Sequence, residues 1–88
     1  MNPTILVKDL PNIGPVLARE LQNVGIHTLA DLQAVGSAHA LYKIRGISGQ
    51  GCMNMLYALE GAIQQIRWHF LEDFQKEHAR KAFERLVG

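Results

Sequence analysis

Cysteine, net charge and long apolar runs are all scarce in this sequence. Cys52 is the single cysteine among 88 residues, so an internal disulfide is excluded. No segment resembles a signal peptide or is apolar over enough residues to cross a membrane, which predicts a cytoplasmic protein without membrane contact. The formal net charge is only +1 at pH 7. Strongly basic nucleic-acid-binding domains carry far more charge, so any contact with DNA should be weak or local.

Residue patterns typical of metal or catalytic sites are also lacking. The histidines, His27, His39, His69 and His78, are scattered, and none has a histidine or cysteine partner at metal-ligand spacing. No base flanks Cys52, which is more typical of a small core residue than of a nucleophile. We therefore expect neither a metal nor a cofactor, and we expect no enzymatic activity.

A chain of this length has room for one domain, here residues 1–88, with a core near the size at which burial becomes marginal. Hydrophobic residues make up 48% of the sequence and charged residues 19%, which is apolar for so small a surface. Some of that apolar surface is available to a partner. We therefore consider a homodimer, with Phe70, Phe74 and Phe83 as candidate contacts.

The segment Leu10–Ile26 carries the most informative local pattern. Pro11 and Gly14 disfavour helix up to Gly14, after which Pro15 suits a first helical turn that needs no N–H. This layout predicts a helix-hairpin-helix, in which two helices are joined by a short turn whose free backbone N–H groups can hold a phosphate. The usual turn has glycine on both sides of an apolar residue. Here Asn12 takes the place of the first glycine, and asparagine also tolerates a positive φ.

Apolar periodicity and capping residues predict an all-α domain of five or six helices. The second helix should end at Gly25 in a Schellman motif, with Ile26 packing back on Leu21. Thr28 and Asp31 form a capping-box pattern at the start of the third helix. The predicted ranges are 4–9, 15–24, 29–35, 38–45, 52–67 and 71–86, and the last counts as the fifth helix if the first proves irregular.

Three further expectations concern side-chain positions in these helices. The first helix should turn Ile5 and Leu6 inward, and Ser37 should cap the fourth. The fifth helix should be the central one, because it has the longest apolar-periodic run. Its expected buried residues are Leu56, Leu59 and Ile63. The expected apolar positions of the last helix are Phe74, His78, Ala82 and Leu86, with Phe83 nearby.

A shift of 34 positions places the first turn over Gly46–Gly51 and aligns Asn12 with Gly46, among other chemically similar pairs. This pattern indicates an internal repeat of two hairpins, which would give the domain two phosphate-facing loops. The alternative is that Gly46 and Gly51 merely cap two ordinary helices. The sequence leaves both readings open.

Four segments follow one another in a specific order: LPNIGP at 10–15, VGIHT at 24–28, DL at 31–32 and NMLYALEGA at 54–62, which runs on to Trp68. Together they resemble the C-terminal domain of the TfoX/Sxy competence regulators, and the resemblance extends from Leu6 to Leu86. It implies an all-helical, helix-hairpin-helix or SAM-like domain with a role in the control of DNA-uptake genes in bacteria. It supplies no catalytic residues. Such regulators commonly carry another domain before this one, so a free-standing domain and a fragment both stay open.

Two functions from different classes fit the sequence. The first is a sequence-tolerant DNA-binding module whose loop amides hold the phosphate backbone with salt-sensitive affinity. Its predicted contacts are Lys8, Asn12, Ile13, Gly14 and Arg19 at the first loop and Lys43, Arg45, Gly49 and Gln50 around the second. The other is a protein-interaction domain that docks on a transcription regulator or self-associates. The near-neutral net charge and Asn12 favour protein interaction, whereas the loop pattern and the resemblance favour DNA.

Overall fold

The computed structural model describes residues 4–46 and 53–88. Within these residues the chain is helical and contains no strand beyond one isolated bridge, as the all-α prediction requires. Short 3₁₀ helices at Val7–Asp9 and Trp68–Phe70 accompany five α-helices. The α-helices are α1 (Pro15–Asn23), α2 (Leu29–Val35), α3 (Ser37–Arg45), α4 (Met53–Gln64) and α5 (Asp73–Val87).

The N-terminal segment differs from the predicted first helix at 4–9. Leu6 is extended and forms an antiparallel bridge with Thr28, and only the 3₁₀ turn Val7–Asp9 follows it. The Val7 N–H donates to the His27 carbonyl at 3.0 Å, and the Leu29 N–H donates to the Ile5 carbonyl at 2.8 Å. This pairing buries Val7 and leaves Leu6 exposed, so the prediction that Leu6 turns inward is wrong. Backbone bonds to the 27–29 segment compete here with a helix too short to be stable alone.

The end of α1 has the predicted Schellman motif. Gly25 takes a positive φ of 87°, its N–H donates to the Gln22 carbonyl, and the Ile26 N–H donates to the Leu21 carbonyl at 2.9 Å. Leu21 and Ile26 are both fully buried, so the apolar contact that accompanies such a motif is present. A left-handed residue is required at this turn, and glycine takes that conformation without a Cβ penalty.

The start of α2 has the predicted capping box. The Asp31 N–H donates to Thr28 Oγ1 at 3.2 Å, while the Asp31 carboxylate accepts from the N–H groups of Thr28 and His27 at 3.1 and 2.9 Å. These backbone donors, that of His27 most of all, lower the pKa of Asp31 below its ordinary value. The box therefore fixes the chain direction into α2 with bonds that need an ionised carboxylate.

The junction of α2 and α3 corrects the prediction for Ser37. Gly36, with a φ of 87°, both ends α2 and stands at the N-cap of α3. Ser37 is the first helical residue, and its buried hydroxyl donates to Glu60 Oε1 at 2.7 Å instead of capping α3. The hydroxyl therefore links α3 to α4. Gly36 occupies the N-cap position and has no side chain that could cap the helix, so Ser37 already lies inside α3.

The core lies where α4 and α5 pack against α3. Leu56 and Leu59 are fully buried as predicted, whereas Ile63 is half-buried at the edge of the core. The helix ends at Gln64, three residues before the predicted end at 67, because Gln65 turns to a positive φ of 62°. The radius of gyration of the Cα atoms is 11.7 Å, close to the value of about 12 Å expected for one compact domain of this length.

Helix α5 matches the predicted face only in part, because Ala82 and Leu86 pack against the core whereas Phe74 and His78 do not. Ala79 and Phe83 are its buried residues, whereas Phe74 is 69% exposed and His78 is also exposed. Phe74 and Phe83 are nine positions apart, which is two and a half helical turns, so the two rings point to opposite sides of α5. Phe83, offered as a dimer contact, is therefore a core residue and cannot contact a partner.

Candidate functional site

The loop before α1 has the predicted helix-starting geometry. Pro15 occupies the first helical position, and Gly14 is the N-cap with φ −86° and ψ 177°. Those angles are open to any residue, and a Cβ on Gly14 would meet nothing within 4 Å. The fold therefore does not require glycine at position 14, and the space outside the loop at this position is open. Ile13 is buried, and its N–H donates to the Leu10 carbonyl at 3.4 Å, so its amide is shared with the turn.

The side chain of Asn12 belongs to the fold and is not free for a ligand. Asn12 has a positive φ of 71°, as expected for a residue in the place of the first glycine. Its Nδ2 donates to the Ile66 carbonyl at 2.9 Å and to the Ala58 carbonyl at 3.3 Å, and its Oδ1 accepts from the Trp68 N–H at 3.2 Å. These three bonds tie the loop to the end of α4. The side chain of Asn12, which was predicted as a DNA contact, is therefore occupied within the domain.

Gly61 makes room for the Asn12 side chain. A Cβ on Gly61 would lie 2.6 Å from Asn12 Nδ2 and 2.8 Å from the carbonyl oxygen of Ile66. Real Cβ atoms do not come that close to other heavy atoms, so any larger residue at this position forces the loop and α4 apart. A glycine within a helix normally weakens it, and here the close approach explains its presence.

A shallow depression of about 340 Å³ lies beside the start of α1. Its lining residues are Lys8, Ile13, Pro15, Ala18, Arg19 and Gln22. Among the described residues, no partner accepts a hydrogen bond from the N–H of Gly14 or Val16. The structure therefore brings together three of the predicted first-loop residues, Lys8, Ile13 and Arg19, next to open backbone donors.

The basic side chains differ in what they contact. Arg45 makes a bidentate ion pair with Glu20 of α1, with Nη2 at 3.1 Å from Oε1, so it joins α3 to α1 and is not a free phosphate ligand. Lys8 lies 3.5 Å from the Asp9 carboxylate in an exposed pair that contributes little. Arg19 is exposed and has no carboxylate partner within the described ranges. Lys43 is exposed on α3 and does not line the depression.

The proposed second loop falls mostly outside the described residues. Gly49, Gln50, Gly51 and Cys52 all belong to the segment 47–52, so the predictions made for them are not addressed by the structure. Gly46 is described, ends α3 and has a positive φ of 59°. Asn12 and Gly46, which the repeat pairs, thus share a positive φ. That single match fits both the repeat and the simpler cap.

Among the described residues, the most exposed aromatic side chains lie around the start of α5. Phe70 is 73% exposed and Phe74 is 69% exposed. Two shallow depressions flank them, one formed by residues 70–74 and the other lined by Glu60, Gln64, Phe74, Gln75 and His78. We call the surface formed by the two rings and both depressions the Phe70–Phe74 face. The spacing of Phe74 and Phe83 was a usable signal for it, because only one of them can be buried.

An aromatic cluster supports the connection between α4 and α5 next to this face. Trp68 stacks on His69 with ring centroids 4.3 Å apart and lies 6.2 Å from the ring of Tyr57. The Lys76 Nζ atom is 5.7 Å from the centroids of both Trp68 and Tyr57. These contacts join the 3₁₀ turn that carries Phe70 to α4 and α5.

No group of three His, Cys, Asp or Glu side chains within 4–46 and 53–88 is placed to hold a metal ion. No helix in the same ranges has the length and hydropathy needed to cross a bilayer.

Comparison with known proteins identifies the family. The family model described as the TfoX C-terminal domain matches residues 4–83. A crystal structure of an uncharacterized protein from Listeria monocytogenes, in a triclinic form, is 43% identical, with 94% of each chain covered and a TM-score of 0.80. A tetragonal form of a Listeria monocytogenes protein of unknown function is also 43% identical, covering 92% of this chain and 99% of that one, with a TM-score of 0.76. No curated protein matches the chain. The chain therefore belongs to the TfoX C-terminal domain family.

Proposed function

We propose that this domain is a non-enzymatic regulatory module that acts by docking on another protein through the Phe70–Phe74 face. The observation that carries the proposal is the exposure of both phenylalanine rings, 73% for Phe70 and 69% for Phe74. Large aromatic side chains exposed together typify contact surfaces between proteins. The family's association with competence regulators supports a role in the control of DNA-uptake genes.

The contacts made by the predicted DNA-binding residues argue against DNA as the main ligand. Two of the predicted contacts, Asn12 and Arg45, have partners inside the domain, and the net charge is +1. Contacts to phosphates normally come from several free cations, each of which adds to the affinity. At the first loop, Arg19 is exposed without a carboxylate partner among the described residues, whereas Lys8 lies close to the Asp9 carboxylate.

A genetic comparison of the two surfaces tests the proposal. One variant carries Phe70→Ser with Phe74→Ser, and the matched variant carries Lys8→Ala with Arg19→Ala. All four side chains are exposed, so both variants should fold and accumulate normally. We expect the phenylalanine variant to lose control of DNA-uptake transcripts in the source organism and the cation variant to keep it. Loss of control in the cation variant alone would contradict the proposal.

DNA binding at the first loop is a second candidate, favoured by the open N–H groups of Gly14 and Val16 beside Arg19. Titration against unrelated duplexes at about 50 mM salt tests it, because phosphate contacts are strongest there. If the loop binds, Gly14→Val should block the approach, and Arg19→Ala should reduce the salt slope by about one unit. Arg45→Ala serves as the control, since its guanidinium is paired with Glu20. Absence of binding by the unaltered protein ends this candidate.

A further inference from the structure

The Phe70–Phe74 face combines apolar rings with uncompensated negative charge. Its two depressions share the ring of Phe74, so they form one continuous surface. Three carboxylates line them, from Glu60, Glu72 and Asp73, and no lysine or arginine does. The face is therefore acidic although the whole chain has a net charge of +1.

Resting on the docking function proposed above, we infer that the partner segment is an amphipathic helix or peptide whose apolar anchor is flanked by lysine or arginine. The rings of Phe70 and Phe74 offer the apolar contact, and the carboxylates around them offer complementary charge. Complementary charges across an interface select the partner and speed its encounter. An apolar anchor in the centre with charges at the rim is the ordinary arrangement of such contacts.

Among the described residues, no lysine or arginine pairs with the carboxylates of the face. Glu60 accepts hydrogen bonds from the Ser37 hydroxyl at 2.7 Å and from Gln64 Nε2 at 2.9 Å. Asp73 has no basic partner among the described residues. Farther along α5 the situation is reversed, since Arg80 pairs with both Glu77 and Glu84. The unneutralised acidic charge of α5 therefore lies at the end that carries Phe74.

Glu72 also contributes to the face while capping α5. Its N–H donates to Gln75 Oε1 at 2.8 Å, and its backbone carbonyl accepts the N–H of Gln75 at 3.0 Å. Both bonds use backbone groups of Glu72, so its exposed carboxylate is available to a partner. The charge next to Phe70 and Phe74 therefore favours a partner with a matching cation.

A second copy of this chain fits the face less well than a basic partner. Two phenylalanine rings exposed by about 70% offer on the order of 300 Å² of apolar surface. A stable interface buries about 800 Å² on each partner, so the rings alone cannot hold a dimer. A two-fold contact would also place the Glu72 and Asp73 carboxylates of both copies together, where like charges repel.

Phosphate-bearing ligands are disfavoured at the same surface. A nucleic acid or an anionic bilayer would bring its phosphates against the carboxylates of Glu60, Glu72 and Asp73 without a lysine or arginine to offset them. A basic protein segment experiences the opposite interaction. The chemistry of the face therefore selects against the ligand class proposed for the first loop.

Three synthetic peptides of about 16 residues test the inference. Each has the same Phe and Leu anchors one helical turn apart and no tryptophan, and the flanking positions carry only lysine, only glutamine or only glutamate. Binding is followed by emission of Trp68, the single tryptophan, and by amide chemical shifts of the labelled domain. We expect the lysine peptide to bind at least tenfold more tightly than the glutamate peptide, with the glutamine peptide between them. The shifts should fall within residues 60–78.

Two variants separate local charge from net charge. Asp73→Lys should reduce the preference for the lysine peptide several-fold, because it inverts one charge beside Phe74. Glu84→Lys makes the same change in net charge at the far end of α5, outside the face, and should leave the preference unchanged. A weaker preference in both variants would show a non-specific charge effect and overturn the inference.

The remaining outcomes distinguish the basic-partner inference from the docking function on which it rests. Equal binding of all three peptides at residues 60–78 overturns the basic-partner inference and supports docking at the face. Shifts confined to residues 13–22, or no binding by any peptide, overturn the inference as well. The docking function is then decided separately by the genetic comparison of the phenylalanine and cation variants.

Discussion

Asn12 joins two parts of the chain that are distant in sequence. Its positive φ was predicted because asparagine replaces the first glycine of the usual turn. Its bonds to Ile66 and Trp68 could not be predicted, since no local pattern records a contact across more than 50 residues. The same holds for Gly61, whose missing side chain makes space for the Asn12 amide. Local sequence therefore revealed the turn but not its role in holding the fold.

Substitutions at positions 12 and 61 test that role. Asn12→Gly keeps the backbone conformation and removes three hydrogen bonds, which should lower the free energy of unfolding by about 1–3 kcal/mol. Gly61→Ala should destabilise by about 1–3 kcal/mol through overpacking, although alanine favours helix. In the double variant the clash with Asn12 Nδ2 is gone. The double variant should therefore lose less stability than the sum of the two single losses. Urea unfolding measures all three, and strict additivity would show that the two residues do not interact.

Asp31 gives the α2 cap a defined pH dependence. Its folded pKa is depressed by the N–H groups of His27 and Thr28, so its contribution to stability is present above the unfolded pKa of about 3.9. That contribution is lost as the pH falls through the lower folded pKa. We expect Asp31→Asn to be less stable than the parent at pH 7, with the difference shrinking below about pH 4. Urea midpoints across pH measure it, with Asp9→Asn as a control outside the cap. A difference that is constant with pH would refute the account.

At the scale of the elements, the helix ends were more predictable than the faces. The Schellman motif at Gly25 and the capping box at Thr28 and Asp31 depend on a few adjacent residues, and both are present. The face of α5 depends on which of several apolar residues meets α3 and α4. Ala82 and Leu86 pack against the core as predicted, whereas Phe74 lies half a turn away from the buried Phe83. Because Phe74 was expected to be buried, the exposed Phe70–Phe74 face was not predicted.

The two phenylalanines of α5 provide a matched test of the corrected face. Phe83→Ala removes a fully buried ring and should cost about 3–5 kcal/mol of unfolding free energy. Phe74→Ala removes an exposed ring and should change stability by less than about 0.5 kcal/mol. Urea unfolding followed by circular dichroism measures both. A large loss for Phe74→Ala, or a small one for Phe83→Ala, would mean that α5 packs through the predicted side.

At the scale of the whole molecule, the all-helical class and the family were accessible from the sequence, because helix signals and the ordered motifs run along most of the chain. The sequence could not show which surface side chains are free to contact a ligand. Arg45 was assigned to DNA from its charge and its nearness to a glycine-rich segment, yet its pair with Glu20 joins α3 to α1. Charge in a sequence does not reveal whether its partner lies inside the domain.

The most direct test of the central proposal places a photoreactive phenylalanine analogue in the living source organism at three positions, one at a time. Position 74 reports on the Phe70–Phe74 face, position 19 reports on the first loop, and Tyr42 is an exposed aromatic residue that lines neither. We predict a discrete adduct from position 74 alone that protease removes and nuclease does not. A nuclease-sensitive adduct from position 19 with none from position 74 would contradict the docking function and establish the first loop as the binding site.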